Sequence, residues 1–273
     1  MNRIIYFYLL LLFFLSSCSS TQRFSSHGAG RVKKYDFFHK DIPTAFDGFR
    51  IAFISDLHYK STLQEAGLDK LVRQLQDVKA DVLLMGGDYQ EGCDVVPELF
   101  DKLSAVKTKF GTIGVMGNND YERCHDEIVR EMHRHGMKVL EHQLDTLNLD
   151  SGRIILAGVR NPFDLKRNGV SPTLSLSAGD FVILLTHTPD YAEEVPITNS
   201  DLVLAGHTHG GQVTLFGLYA PIIPSAYGQH FRTGLKYTSA HIPVIVTNGI
   251  GTSRKRLRLF APSEIVVIVL HKQ

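Results

Sequence analysis

Asp56-Leu57-His58, Gly87-Asp88, Gly117-Asn118-Asn119-Asp120, His187 and Gly206-His207-Thr208-His209 are scattered over more than half of the chain, yet together they offer carboxylate, imidazole and amide-oxygen donors. Donors of these types suit Mn, Fe or Zn, whereas Ca prefers shells made wholly of oxygen. No thiolate occurs in the motifs, so a Cys-rich structural zinc site is not expected. Asp56, His58, Asp88, Asn118, His187, His207 and His209 make seven ligands, more than one ion takes and about right for two divalent ions that share a carboxylate. Any one of the 13 histidines is more often ordinary than a ligand. Asp56 or Asp88 alone could be a turn or helix cap. The case rests on their recurrence.

Each cluster follows a short apolar run: Ile51 to Ile54, Val82 to Met85, Thr112 to Met116, Phe181 to Leu185 and Asp201 to Ala205. Such runs read as buried strands that end where the ligands begin. Five strand ends would then converge on the edge of a sheet where α/β proteins usually build their sites. Apolar spacing predicts helices over 64–79, 96–106 and 125–135, the last stopped by Gly136. Beyond them come short runs without long helices, at 138–140, 146–149, 153–159, 181–186, 202–205, 212–216, 244–247 and 265–270. A first half of βα units and a strand-rich second half imply an α/β fold with two packed sheets and helices outside. The Gly-, Pro- and Tyr-rich stretch 218–236 should wrap the surface near the ligand rim.

At 273 residues, 44% hydrophobic and 21% charged, the composition is that of one ordinary globular domain. A net charge of +1 provides no broad field for nucleic acid. The cluster Arg254-Lys255-Arg256-Leu257-Arg258 is either a solvated turn or a contact for an anionic substrate or membrane headgroup. The first 18 residues carry an apolar run from Ile4 to Leu15, too short to span a bilayer but suited to a signal peptide. Leu15-Ser16-Ser17-Cys18 resembles a bacterial lipobox, which implies cleavage before Cys18 and lipid on its thiol; an uncleaved anchor or a plain secretory signal are the alternatives. Residues 19–34 would be a flexible tether and 35–273 the domain, giving an exported, membrane-anchored lipoprotein of the bacterial envelope. Cys93 and Cys124 lie on loops that should be neighbours. Two unlinked thiols are the simpler expectation, because sequence cannot supply the Cα separation that a bridge requires.

The order of motifs from about Phe49 to His209 resembles the calcineurin-like metallophosphoesterase superfamily, whose pattern is D-x-H, GD, GNH-D/E, H and GHxH. Gly48-Phe49-Arg50-Ile51 before Ser55 to His58, the AGHTHGGQV of Ala205 to Val213, and the NGIGTS of Asn248 to Ser253 resemble its YkuE/YaeI-like branch. The resemblance implies a four-layer α/β/β/α sandwich. It also implies Asp56, His58 and His209 on one metal, Asn118, His187 and His207 on the other, and Asp88 bridging. Two cations of this kind polarise phosphate and activate a shared water, so a bridging hydroxide would attack phosphorus opposite the leaving group.

One position departs from the pattern. The family usually has His after the metal-binding Asn, and here Asn119 stands instead. Asparagine donates a hydrogen bond but is no general acid near neutral pH. A missing proton donor matters most for a poor leaving group such as an alkoxide, so a diphosphate is the expected substrate over an alkyl phosphodiester. The family's UDP-2,3-diacylglucosamine hydrolases also lack this His and cleave such a bond, although with Arg at the position. Some members of the YkuE/YaeI-like branch have been associated with that lipid A step, although export would separate this protein from cytoplasmic nucleotide precursors. His125 offers a replacement acid, with a surface histidine as the plainer reading. A lipid-anchored metal- or phosphate-binding protein with little turnover is the alternative from another class.

Overall fold

The computed structural model describes residues 29–160, 162–163 and 170–273. The expected signal segment 1–18 with Cys18, and the tether as far as residue 28, lie outside the described residues. Among the described residues no helix is long and apolar enough to cross a membrane.

Among the described residues, twelve strands form two six-stranded sheets. The first sheet comprises β1 (Arg31–His39), β2 (Arg50–Ile54), β3 (Val82–Met85), β4 (Thr112–Gly114), β5 (Lys138–Val139) and, last in sequence, β12 (Glu264–Lys272), ordered β1-β12-β2-β3-β4-β5. The second comprises β6 (Gln143–Leu149), β7 (Gly152–Gly158), β8 (Phe181–Leu185), β9 (Leu202–Ala205), β10 (Gly234–Tyr237) and β11 (Pro243–Val246), ordered β10-β11-β9-β8-β7-β6. β2, β3, β4 and β5 are mutually parallel, as are β7, β8, β9 and β11.

Alternation along the strands builds the layers. Ile51 and Phe53 of β2, Ile183 and Leu185 of β8, and Val266 and Ile268 of β12 fill the space between the sheets. The residues between them face the other way. Ala52, Ile54, Ile265 and Val267 pack under α1 (Glu65–Val78), α2 (Val96–Leu103) and α4 (His125–Arg134), while Val182 and Leu184 face the outer side of the second sheet. Both faces being buried, the strands read as continuous apolar runs. The short helix α3 (Asn118–Glu122) precedes α4, and α5 (Tyr191–Glu194) covers the outer side of the second sheet together with Ile197 and Phe231. The result is the expected α/β/β/α order, with a thin fourth layer.

The expectations miss in four places. β1 begins at Arg31, so the tether cannot run to residue 34: the Arg31 guanidinium, 2.6 Å from the wholly buried Glu264 carboxylate, ties this segment to β12. β1 escapes a periodicity search because it is an edge strand whose outward positions are polar or exposed, as edge strands tend to be. β10 overlaps the end of the stretch 218–236 that was expected to wrap the surface with weak periodicity. Residues 212–216 make no strand, only the isolated bridges Val213 to Leu259 and Leu215 to Tyr219.

Finally, Cys93 and Cys124 are joined in a disulfide, with Cα atoms 5.3 Å apart. Folding places the loop after β3 against the start of α4, a proximity that no local pattern encodes. The bridge closes a loop across a sequence separation of 31 residues, and replacing both cysteines with serine is expected to cost about 3–4 kcal/mol of unfolding free energy from loop-closure entropy. Urea denaturation of oxidised wild type against the double variant measures it, and equal midpoints would refute the estimate.

Candidate metal centre

The ligands stand where strands of both sheets end. β2 runs into Asp56 and His58, β3 into Asp88, β4 into Asn118, β8 into His187 and β9 into His207 and His209. Five of them, Asp56, His58, Asp88, His207 and His209, have positive φ between 40° and 68°, a region in which non-glycine residues are uncommon and which concentrates at functional sites. The turns bend each side chain back into a common pocket. Glycine makes the approach possible at two points: a Cβ on Gly117 would run into Asp88 Oδ1, and one on Gly206 into Asp56 Oδ2.

Two groups of donor atoms result, Asp56 with His58 and His209, and Asp88 with His187 and His207; within each group the donor atoms lie within 4.8 Å of one another. Asp88 Oδ2 lies between the groups, 3.5 Å from His58 Nε2 and 3.4 Å from His187 Nε2. From there one carboxylate reaches imidazoles of both groups. His207 Nδ1 and His187 Nε2 face each other at 3.1 Å, a spacing that fits two nitrogens each ~2.0–2.1 Å from one cation. His58 Nε2 and Asn118 Oδ1 are buried without any hydrogen-bond partner. Buried polar atoms are rarely left so, and a metal ion satisfies both. The donor set therefore fits two divalent ions.

Surrounding groups fix the ligand rings. His187 Nδ1 donates to the Gly86 carbonyl at 2.7 Å and His58 Nδ1 bonds Glu91 Oε1 at 2.7 Å, which leaves each Nε2 lone pair aimed inward. The Asp56 carboxylate accepts from the His207 backbone N–H at 3.0 Å. Asp120 accepts from the backbone N–H groups of Asp88, Tyr89 and Gly117, tying two ligand loops together. Arg258, buried, donates to the carbonyls of Asn248, Gly251, Ala261 and His209. It braces the His209 turn from below.

Burial opposes charge on all these groups. Asp88 is nevertheless held below the usual carboxylate range by His187, His58 and His207. His187 is pushed up to about 9 because Asp88 and Asp56 outweigh its burial. His207 falls to about 3 through burial and the charge of His187. Burial and Asp88 push Asp120 up to about 7.

Six of the seven residues expected as metal ligands fall into the two donor groups, and the seventh, Asn118, adjoins Asn119, whose backbone N–H reaches Asp88, with its own Oδ1 buried and unpartnered. Asn119 lies at the mouth of the pocket: its backbone N–H donates to Asp88 Oδ1 at 2.9 Å, and its Nδ2 is 3.3 Å from His58 Nδ1. His125 is different. Its ring nitrogens engage Asp126 and Glu141 and its ring stacks on Tyr121, so it contacts none of the seven ligands. Glu91 and Arg258 went unforeseen as supports, since one is a lone carboxylate three residues past Asp88 and the other is hidden in a cluster of cations.

Residues 49–211 match the family model of the calcineurin-like phosphoesterases. The chain belongs to that family. Its relatives include an uncharacterized metallophosphoesterase of Campylobacter jejuni, 32% identical over 84% of this chain and 61% of that protein. Another is the uncharacterized metallophosphoesterase YkuE of Bacillus subtilis, 33% identical over 84% of this chain and 81% of YkuE. The phosphoesterase chain thus spans less than two thirds of the Campylobacter relative. Its fold is shared by solved structures, among them these two. One is the NAD nucleotidase of Haemophilus influenzae, with a TM-score of 0.52, 15% identity, and coverage of 74% of this chain and 45% of that one. The other is a 5'-nucleotidase precursor of Thermus thermophilus, with a TM-score of 0.51, 12% identity, and coverage of 81% and 54%. The two donor groups are thus the candidate metal centre of a calcineurin-like phosphoesterase domain.

Because Glu91 orients His58 without ligating, Glu91→Gln should weaken metal affinity by ~10–100-fold and leave the fold intact. Titration of the metal-free protein with Mn²⁺ or Zn²⁺, with circular dichroism as the control, measures this. Unchanged affinity would show that the carboxylate plays no part in presenting the imidazole.

Proposed function

We propose that this phosphoesterase hydrolyses a diphosphate or phosphodiester bond of a lipid-linked or envelope substrate, and that it favours diphosphates. Asn119 carries the reading. It occupies the position at which the family usually places a histidine, half-buried beside Asp88 and His58 at the mouth of the pocket.

When bound, the two cations would polarise the phosphate and lower the pKa of the attacking water. The residues of the chain divide the remaining tasks. Asp56, His58 and His209 would hold one ion, Asn118, His187 and His207 the other, and Asp88 both. Asn119 can offer amide hydrogen atoms to a phosphate oxygen, which orients the substrate, but it cannot hand a proton to the departing group. A leaving phosphate monoester needs that proton little, and an alkoxide needs it greatly. UDP-2,3-diacylglucosamine is a substrate of the favoured chemistry, and the amino-terminal lipobox-like sequence supports action at an envelope surface. Mn, Fe or Zn is the proposed metal.

A metal- or phosphate-binding protein with little turnover is the second reading, favoured by Asn119 alone and opposed by a complete set of seven ligands. Protein loaded with Mn²⁺ and given bis-p-nitrophenyl phosphate separates the two. Turnover above an Asp88→Ala control is expected, and metal uptake without turnover would select the binder. On an alkyl phosphodiester, Asn119→His should raise the rate by ~10²–10⁴ while changing diphosphate cleavage little. Equal cleavage of both substrate classes by the wild type would refute the leaving-group argument.

A further inference from the structure

The basic cluster does not act as a unit. Arg258 turns inward beneath His209, whereas Arg254, Lys255 and Arg256 lie toward solvent. No ion pair joins any of these three to a carboxylate among the described residues, and Arg256 makes its hydrogen bond to the Lys60 carbonyl.

Beside them stands an apolar projection. Leu215 N–H donates to the Tyr219 carbonyl and Leu218 N–H to that of Leu215, closing a tight turn whose tip is Phe216-Gly217-Leu218. Turn tips are ordinarily polar, yet Phe216 is 66% and Leu218 81% exposed, and Ile222 shortly after is 76% exposed. The Phe260 ring, itself exposed, lies 5.6 Å from that of Phe216. Segments 212–219 and 253–260 form one ledge. Gln212 Nε2 donates to the Lys255 carbonyl, Leu259 N–H to the Gln212 carbonyl, and Thr214 N–H to the Leu259 carbonyl. The ledge springs directly from the ligand loop, since Gln212 follows His209 by three residues and Arg258 braces the His209 carbonyl.

We propose that this ledge is an interfacial docking surface for a bilayer carrying anionic lipid, with the apolar tip entering the boundary of the acyl chains and Arg254, Lys255 and Arg256 meeting headgroup phosphates. Exposed apolar groups collected on one projection mark an interaction surface, and cations flanking them supply the charge complementarity that favours an anionic lipid surface over a neutral one. No comparable role falls to Arg258, which is committed to carbonyls. Docking in this way presents the metal centre to the membrane face, so its purpose rests on the proposed action at an envelope surface.

The apolar amino-terminal segment of the full chain can itself bring protein to vesicles, so the readout must be local. The sequence contains no tryptophan, and Leu218→Trp therefore reports from the tip alone. Phe38→Trp is the control, because Phe38 pairs with His271 near the far end of β12, away from the ligand edge. With vesicles of phosphatidylcholine and phosphatidylglycerol, the indole emission of the L218W protein should shift to the blue and be quenched by brominated acyl chains, while that of the F38W protein does neither. Replacing Arg254, Lys255 and Arg256 together with Gln in the L218W protein should weaken the vesicle-dependent signal by on the order of 100-fold.

An indole at the tip that stays water-exposed overturns the proposal and leaves the ledge as a surface for a protein partner. Equal quenching in purely phosphatidylcholine vesicles, or in the triple-Gln protein, also overturns it. Hydrolysis of soluble bis-p-nitrophenyl phosphate by the L218W protein, expected at the wild-type rate, reports separately on the phosphoesterase reading.

Discussion

The Asp88 carboxylate is the group on which the rest of the centre depends. One oxygen accepts from the backbone of Asn119, and the other lies between an imidazole of each donor group. A buried carboxylate without compensating charge costs several kcal/mol, and this one shares its pocket with the equally buried Asp56. Two metal cations would remove that penalty and satisfy the orphaned atoms of His58 and Asn118 at once. The pocket is organised around positive charge that its own side chains only partly supply.

Holding Asp88 there constrains the backbone on every side. Asp120 grips the N–H groups of Asp88 and Gly117, so the loops after β3 and β4 cannot move independently. The disulfide between Cys93 and Cys124 closes the same two segments further out. In the second sheet, His187 is pinned to the Gly86 carbonyl, which couples the end of β8 to the loop after β3. The side chains of the two donor groups are thereby positioned from both sheets, and the layer between them, with Phe53, Leu84, Ile183 and Leu204, sets the distance at which they meet. Core packing acts on the chemistry through that separation.

Much of this was legible in advance, for a physical reason. A ligand must be carboxylate, imidazole or amide oxygen, and strands buried on both faces must be apolar throughout, so the alternation of apolar run and polar cluster survives any rearrangement of the loops between them. Helix periodicity over residues 64–79 was equally plain. What escaped depends on neighbours distant in the chain. β1 is a strand because β12 offers it an edge and Glu264 needs Arg31. β10 pairs with β11 despite a weak local pattern. Glu91 matters only because His58 is beside it. His125 has the chemistry of an acid, but its two carboxylate partners hold it elsewhere.

The sequence by itself determined which atoms could bind metal and that they follow strands, because donor chemistry and apolar periodicity are properties of residues. Only the tertiary structure decided that Asp88 lies between the two donor groups, that Cys93 meets Cys124, and that one arginine of a basic run turns inward while three cations remain outside. Those outcomes depend on through-space distance and burial, which arise when two sheets close on one another and have no counterpart in the order of residues along a chain.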